Sequence, residues 1–223
     1  FNLRGWMTVL DTSYFINRLN VKLAATYGFA SGDEHPNFCE SDKTYTGFIG
    51  LLEGYSGNRV ESLYLLGGRF TRRPLPLQPG QSESSDESAF SDLQFTGASI
   101  SWLPFKNPKL LSLSSNILLF WKDIAAKAYD NCCGTFRNCD ASKYLGTEWN
   151  MRLKYQAIKD LSIFADIGLF FPGGFYRDVK GMPFADDMYN KLDKSVQGKI
   201  DKNDLRIGDD MAYTLNAGFI YRF

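Results

Sequence analysis

At 223 residues the chain is long enough for one all-β barrel or for one to two soluble domains. Lys plus Arg number 25 against 25 for Asp plus Glu, so the overall charge points to neither nucleic acid nor any other highly charged polymer as partner. No run approaches the ~18 apolar residues that a membrane helix needs, and the longest oily stretch, 167–171, is followed by Pro172-Gly173-Gly174.

The chain begins at Phe1 without an initiator Met or a signal sequence, as a processed protein or a fragment would. Residues 3–14 and 19–30 read as two strands joined by a hairpin connection at 15–18. In the second, Val21, Leu23, Ala25, Tyr27 and Phe29 alternate with Lys22, Ala24, Thr26, Gly28 and Ala30, which sets Lys22 opposite the oily row. The first run alternates too poorly for its faces to be assigned. Gly, Pro and charge make 31–43 a loop.

Residues 44–54 and 59–71 form the next pair around a turn at 55–58, with Arg69 on the polar side, although Gly47, Gly50 and Gly54 weaken the first member. The stretch 72–89 is rich in Pro, Ser and acid, and between strands it reads as a long surface loop. Residues 90–104 and 110–123 follow, joined at 105–109. Leu111, Leu113, Ser115, Ile117, Leu119 and Trp121 form one oily row, while the first member changes face near Gly97, which predicts a bulge. Residues 124–143 are a loop that carries Cys132, Cys133 and Cys139.

The clearest alternation lies in 144–157, where Thr147, Trp149, Met151, Leu153 and Tyr155 oppose Glu148, Asn150, Arg152, Lys154 and Gln156. A row of that polarity cannot face lipid, and the other row would be badly exposed in water. After a turn at 158–160, Leu161, Ile163, Ala165, Ile167, Leu169 and Phe171 oppose Ser162, Phe164, Asp166 and Gly168. A long loop, 175–210, leads to the closing strand 211–223. There Met211, Tyr213, Leu215, Ala217, Phe219, Tyr221 and Phe223 share one oily face.

Within that strand, Asn216, Gly218, Tyr221 and Phe223 resemble the C-terminal assembly signal of bacterial outer-membrane β-barrels: a polar residue, Gly two later, an aromatic three after that and a terminal aromatic. The resemblance implies recognition by the outer-membrane insertion machinery, outer-membrane lipid as surroundings, and a last strand ending at the periplasmic rim. Connections alternate short and long along the whole chain, and in such barrels periplasmic turns are short and external loops long. Both features place the long loops outside. The fold class expected is therefore an all-β, antiparallel transmembrane barrel of porin-like type. Nine strands are counted, whereas a complete single-chain bacterial barrel has an even number. The expectation is a C-terminal portion completed by further strands from the same or another chain.

The candidate lumen-lining residues are Lys22, Arg69, Glu148, Asn150, Arg152, Lys154, Asp166 and Arg222. Five bases against two acids would bias a water-filled passage toward anions, unless these groups pair with acids elsewhere in the wall. The leading expectation is an outer-membrane channel without catalytic residues, cofactor or metal. Residues 20–36 are similar to a strand and Gly-Asp loop of alginate-export-type porins, which implies a basic passage for an anionic polymer or small anion. Two alternatives are kept. One is an interaction or structural barrel around a partner protein. The other resembles outer-membrane proteases, with Asp33, Glu34 and His35 at one rim and Asp209-Asp210 at another position of it. Cys39, Cys132, Cys133 and Cys139 all fall in expected loops and fit a disulfide of unresolved pairing, since the C-C-x5-C spacing lacks the usual zinc knuckle.

Overall fold

The computed structural model describes residues 2–33, 44–47, 92–105, 110–183 and 206–221. Its elements in chain order are β1 (Asn2–Leu3), β2 (Met7–Ile16), β3 (Val21–Ala30), β4 (Thr44–Tyr45), β5 (Leu93–Trp102) and β6 (Leu111–Lys122). They continue with β7 (Lys127–Asp130), β8 (Thr135–Asp140), β9 (Tyr144–Ile158), β10 (Leu161–Pro172), α1 (Gly174–Asp178) and β11 (Ala212–Tyr221). The all-β expectation holds.

Seven long strands form one sheet in the order β11-β10-β9-β6-β5-β3-β2, and every neighbouring pair is antiparallel. It is a meander, the arrangement that short turns between sequential strands produce most directly. Short connections fall at 17–20, 103–110 and 159–160, and longer ones at 31–92, 123–143 and 173–211. One end of the sheet thus carries the short turns and the other the long connections. β2 and β11 are its edges, and no closed barrel is found among the described residues.

Among the described residues this sheet holds seven strands, against the nine expected. β3 pairs directly with β5 in unbroken register from Val21↔Trp102 to Ala30↔Leu93, so nothing from 44–71 lies between them. Of those two predicted strands only Thr44–Tyr45 is described as strand, in a two-residue parallel pairing with Asn2–Leu3. Residues 48–71 lie outside the described residues.

Two expected loops contain structure. Residues 127–140 form an antiparallel hairpin of β7 and β8, and all of β8 is exposed. The segment after β10 folds into the short helix α1, in which Phe175 is buried. The predicted bulge near Gly97 is absent, because β5 keeps continuous register with both neighbours. Its buried row runs Leu93, Phe95, Gly97, Ser99 and its exposed row Thr96, Ala98, Ile100, Trp102. The apparent change of face arises because the buried side is itself apolar at the long-connection end. Leu93 and Phe95 belong there to a cluster with Leu118, Phe120, Leu145, Phe170, Phe175 and Val179.

Candidate functional site

Strand register fixes which side chains share a level of the sheet, and the antiparallel pairings carry each level across all seven strands. One buried level holds Asp11, Thr26, Gly97, Leu118, Glu148 and Phe170. The next, toward the short turns, holds Ser13, Ala24, Ser99, Asn116, Asn150, Gly168 and Thr214. A third holds Lys22, Ser101, Ser114, Arg152, Asp166 and Asn216. The fourth brings Ser112, Lys154, Phe164 and Gly218 together. Leaving the apolar cluster, the covered face becomes a field of hydroxyls, amides and charges.

The opposite face has the reverse chemistry. Tyr27, Ile117, Trp149, Met151, Leu153, Tyr155, Ile163, Ile167 and Phe171 are exposed, while Glu148 is 0% and Asp166 1% exposed. A water-soluble fold arranges these classes the other way round, since a buried charge is costly and an oily side chain gains about 1.5–3 kcal/mol on leaving water. Trp149 is 41% exposed and Met151 46%, whereas on the edge strands Tyr14 reaches 71% and Tyr213 75%. The edges are bare because each lacks a neighbour on one side among the described residues.

Polar groups on the covered face are tied to one another. Arg152 Nε donates to Asp166 Oδ1 at 2.6 Å and Nη2 to Asp166 Oδ2 at 3.2 Å, directly across the β9–β10 ladder. The fork of the guanidinium matches the two carboxylate oxygens, the geometry that makes such pairs strong. Asn150 Nδ2 donates to Glu148 Oε1 at 2.7 Å, two residues along the same strand and so on the same face. Lys22 and Lys154 make no ion pair among the described residues, and both are half-buried on this face.

Nine of the lumen and assembly-signal candidates sit on this side or at its last strand. Lys22, Glu148, Asn150, Arg152, Lys154 and Asp166 share the covered face, with Asn216 opposite Asp166. Arg69, Arg222 and Phe223 lie outside the described residues. Gly218 faces Phe164, and a Cβ built on it would stand 2.9 Å from the ring's Cζ. The glycine of the signal thus leaves the space that this ring occupies, and Gly28 does the same for Phe95, with a built Cβ 2.1 Å from Cε1. Tyr221 stands exposed at the short-turn end.

Thr26, which alternation had placed in the row of Lys22, is joined on the polar face by Asp11, Ser13, Ser99 and Asn116, which the sequence reading did not assign to it. The signal for Asp11 was its two-residue offset from Val9 and Ser13, obscured by Thr12 on the outer row and by Phe15 at the turn.

A second group of polar contacts knits the long-connection end. Ser31 Oγ accepts from the Trp6 N–H at 3.0 Å and donates to the Thr46 carbonyl at 2.8 Å. Asp92 pairs with Lys122 and accepts from the Ile124 N–H at 2.7 Å, and Asp123 accepts from the Gly32 N–H at 2.9 Å. Tyr176 lies in this region, where burial pushes its hydroxyl up to about 12. Of the rim acids considered for hydrolysis, Asp33 accepts from Thr46 Oγ1 at 3.2 Å and Asp209 pairs with Lys180 at 2.7 Å. Glu34 and His35 lie outside the described residues. Cys132, Cys133 and Cys139 are free, exposed thiols on the β7–β8 hairpin, and Cys39 lies outside the described residues. No group of metal-ligating side chains occurs among the described residues.

The chain matches no family model, no curated protein and no solved structure.

Proposed function

We propose that this chain is part of the wall of a bacterial outer-membrane β-barrel that conducts small or polymeric anionic solutes. The observation that carries the reading is the inverted polarity of one antiparallel sheet, with charges covered on one face and aliphatic and aromatic rows bare on the other. Hydrocarbon on the bare side and an aqueous passage on the covered side satisfy both faces at once. On the bare face, Tyr213 and Tyr221 are eight residues apart, about 26 Å along the strand, which after tilting approaches the ~25 Å apolar band of such barrels.

Anion preference is supported by Lys22 and Lys154, the inward cations that pair with no acid among the described residues, whereas Arg152 is matched to Asp166. The bases contribute unequally: Arg152 is neutralised in place, so the lysines toward the short turns carry the bias. The last strand, with Asn216, Gly218 and Tyr221, would be read by the insertion machinery, the short turns would face the periplasm and the long connections the exterior.

Reconstitution into planar bilayers of the protein extracted from outer membranes tests this reading. Steady single-channel current with a reversal potential favouring anions is expected; a sealed bilayer would sink it. The second reading, a barrel that encloses or docks a partner protein, draws on the exposed β7–β8 hairpin and on the apolar cluster at one end of the covered face. It is the reading a sealed bilayer would favour.

A further inference from the structure

The connection that leaves β10 turns back across the end of the sheet. Gly173 donates its N–H to the Leu145 carbonyl at 2.7 Å, and a Cβ built on Gly173 would stand 2.4 Å from the Tyr144 carbonyl oxygen. Backbone therefore meets backbone at a separation that glycine alone permits. α1 follows at once. Phe175 and Val179 are buried in one cluster with Leu118, Phe120, Leu145 and Phe170, and the Phe175 ring lies 5.7 Å from the Lys122 ammonium.

The segment is tied down on both sides. Asp178 accepts the Ser142 N–H at 2.8 Å, the Gly181 N–H donates to the Ile207 carbonyl at 2.8 Å, and the Ile207 N–H donates to the Met182 carbonyl at 2.9 Å. Beyond Leu118 and Phe170 the covered face turns polar toward the short turns. A hydrated solute approaching along this face from the long-connection end meets a buried apolar cluster, whose side chains cannot replace its hydration, and polar groups already tied to one another. From the short-turn end it meets Lys154, Lys22, Ser114 and Ser101 first.

We propose that residues 173–183 are a built-in partial cap: the polar face of the sheet is reached readily from the short-turn end, and at the long-connection end the cap narrows the approach over β9 and β10, slowing entry there without abolishing conduction. This goes beyond the channel reading and rests on it only for which membrane side each end occupies. The test uses the assembled protein in its outer membrane, with Cys39, Cys132, Cys133 and Cys139 changed to Ser and a single Ser114→Cys added. A charged, membrane-impermeant methanethiosulfonate is applied to intact cells and, separately, to cells whose periplasm has been opened.

Reaction from the periplasmic side is expected to be faster by about tenfold or more, as a barrier on one side of a pore-lining residue requires. Phe175→Ala with Val179→Ala should raise the outside rate toward the periplasmic one. Equal rates from both sides with the cap intact, or no reaction from either, would overturn the proposal, and that ratio decides the matter even if the double variant fails to assemble. A companion protein keeping only Cys132 reports the orientation. If that thiol reacts only after the periplasm is opened, the proposed sidedness fails, and the cap is then judged with the two sides exchanged.

Discussion

Asp166 is almost wholly covered, and its carboxylate has the Arg152 guanidinium as its matched partner across the ladder. Removing one member of a buried pair strands the other, which costs about 3–5 kcal/mol, whereas replacing both with apolar groups of similar volume is often neutral. Arg152→Met is therefore expected to lower unfolding stability in detergent by that amount, and Arg152→Met with Asp166→Leu to recover most of it. Equal losses in the single and double variants would contradict the pairing. At Gly218 a methyl group would press on the Phe164 ring, and overpacking of this kind costs about 1–3 kcal/mol. Gly218→Val should reduce resistance to denaturant, and Phe164→Leu in the same chain should restore part of it. Lys22→Gln with Lys154→Gln should leave the fold intact and shift the reversal potential toward zero selectivity. An unchanged potential would remove these two lysines from the passage. Lys22, Arg152, Lys154 and Asp166 were marked by the sequence because they are charged residues that alternation puts opposite oily neighbours, and Gly218 was marked by its place in the resemblance to the assembly signal. Their pairing was not legible, since which strand lies beside β9 is a matter of register.

Strand positions were legible wherever one row was consistently oily, as in β9 and β10, because side chains alternate strictly across a pleated sheet. The alternation misled in β5, where both rows are apolar at one end, and a regular strand looked bulged. The reason is the apolar cluster around Phe120 and Phe175, formed by residues distant in sequence that no local window connects. The β7–β8 hairpin was missed because it is short, polar and exposed throughout β8. It limits the cysteine chemistry. Thr135 pairs with Asp130 at the end of the ladder, and Cys139 lies four residues farther along β8, about 13 Å away, with Cys132 and Cys133 in the turn beyond. A disulfide needs Cα atoms within about 7 Å. Peptide mapping after mild oxidation of the folded protein should yield no bond from Cys139 to Cys132 or Cys133, and finding one would show that this hairpin register is wrong.

For the molecule as a whole, the direction of the edge strands matters most. Six antiparallel steps separate β2 from β11, so both run from the long-connection end to the short-turn end. Joining them directly would make a parallel contact, and antiparallel closure requires an odd number of strands in between. An experimental structure of the assembled barrel is expected to show an odd number there, and an even number or a direct β2–β11 pairing would refute closure of this kind. By itself the sequence determined the all-β class, the two-residue alternation, the oily and polar rows of β3, β6, β9, β10 and β11, and the rhythm of short and long connections. These follow from backbone geometry, which each segment expresses without reference to the others. Only the tertiary structure decided that β3 lies against β5, that Arg152 meets Asp166, and that α1 folds onto the covered face. Each of those depends on contacts between segments far apart in the chain, where packing and register choose among partners that the local pattern leaves equivalent.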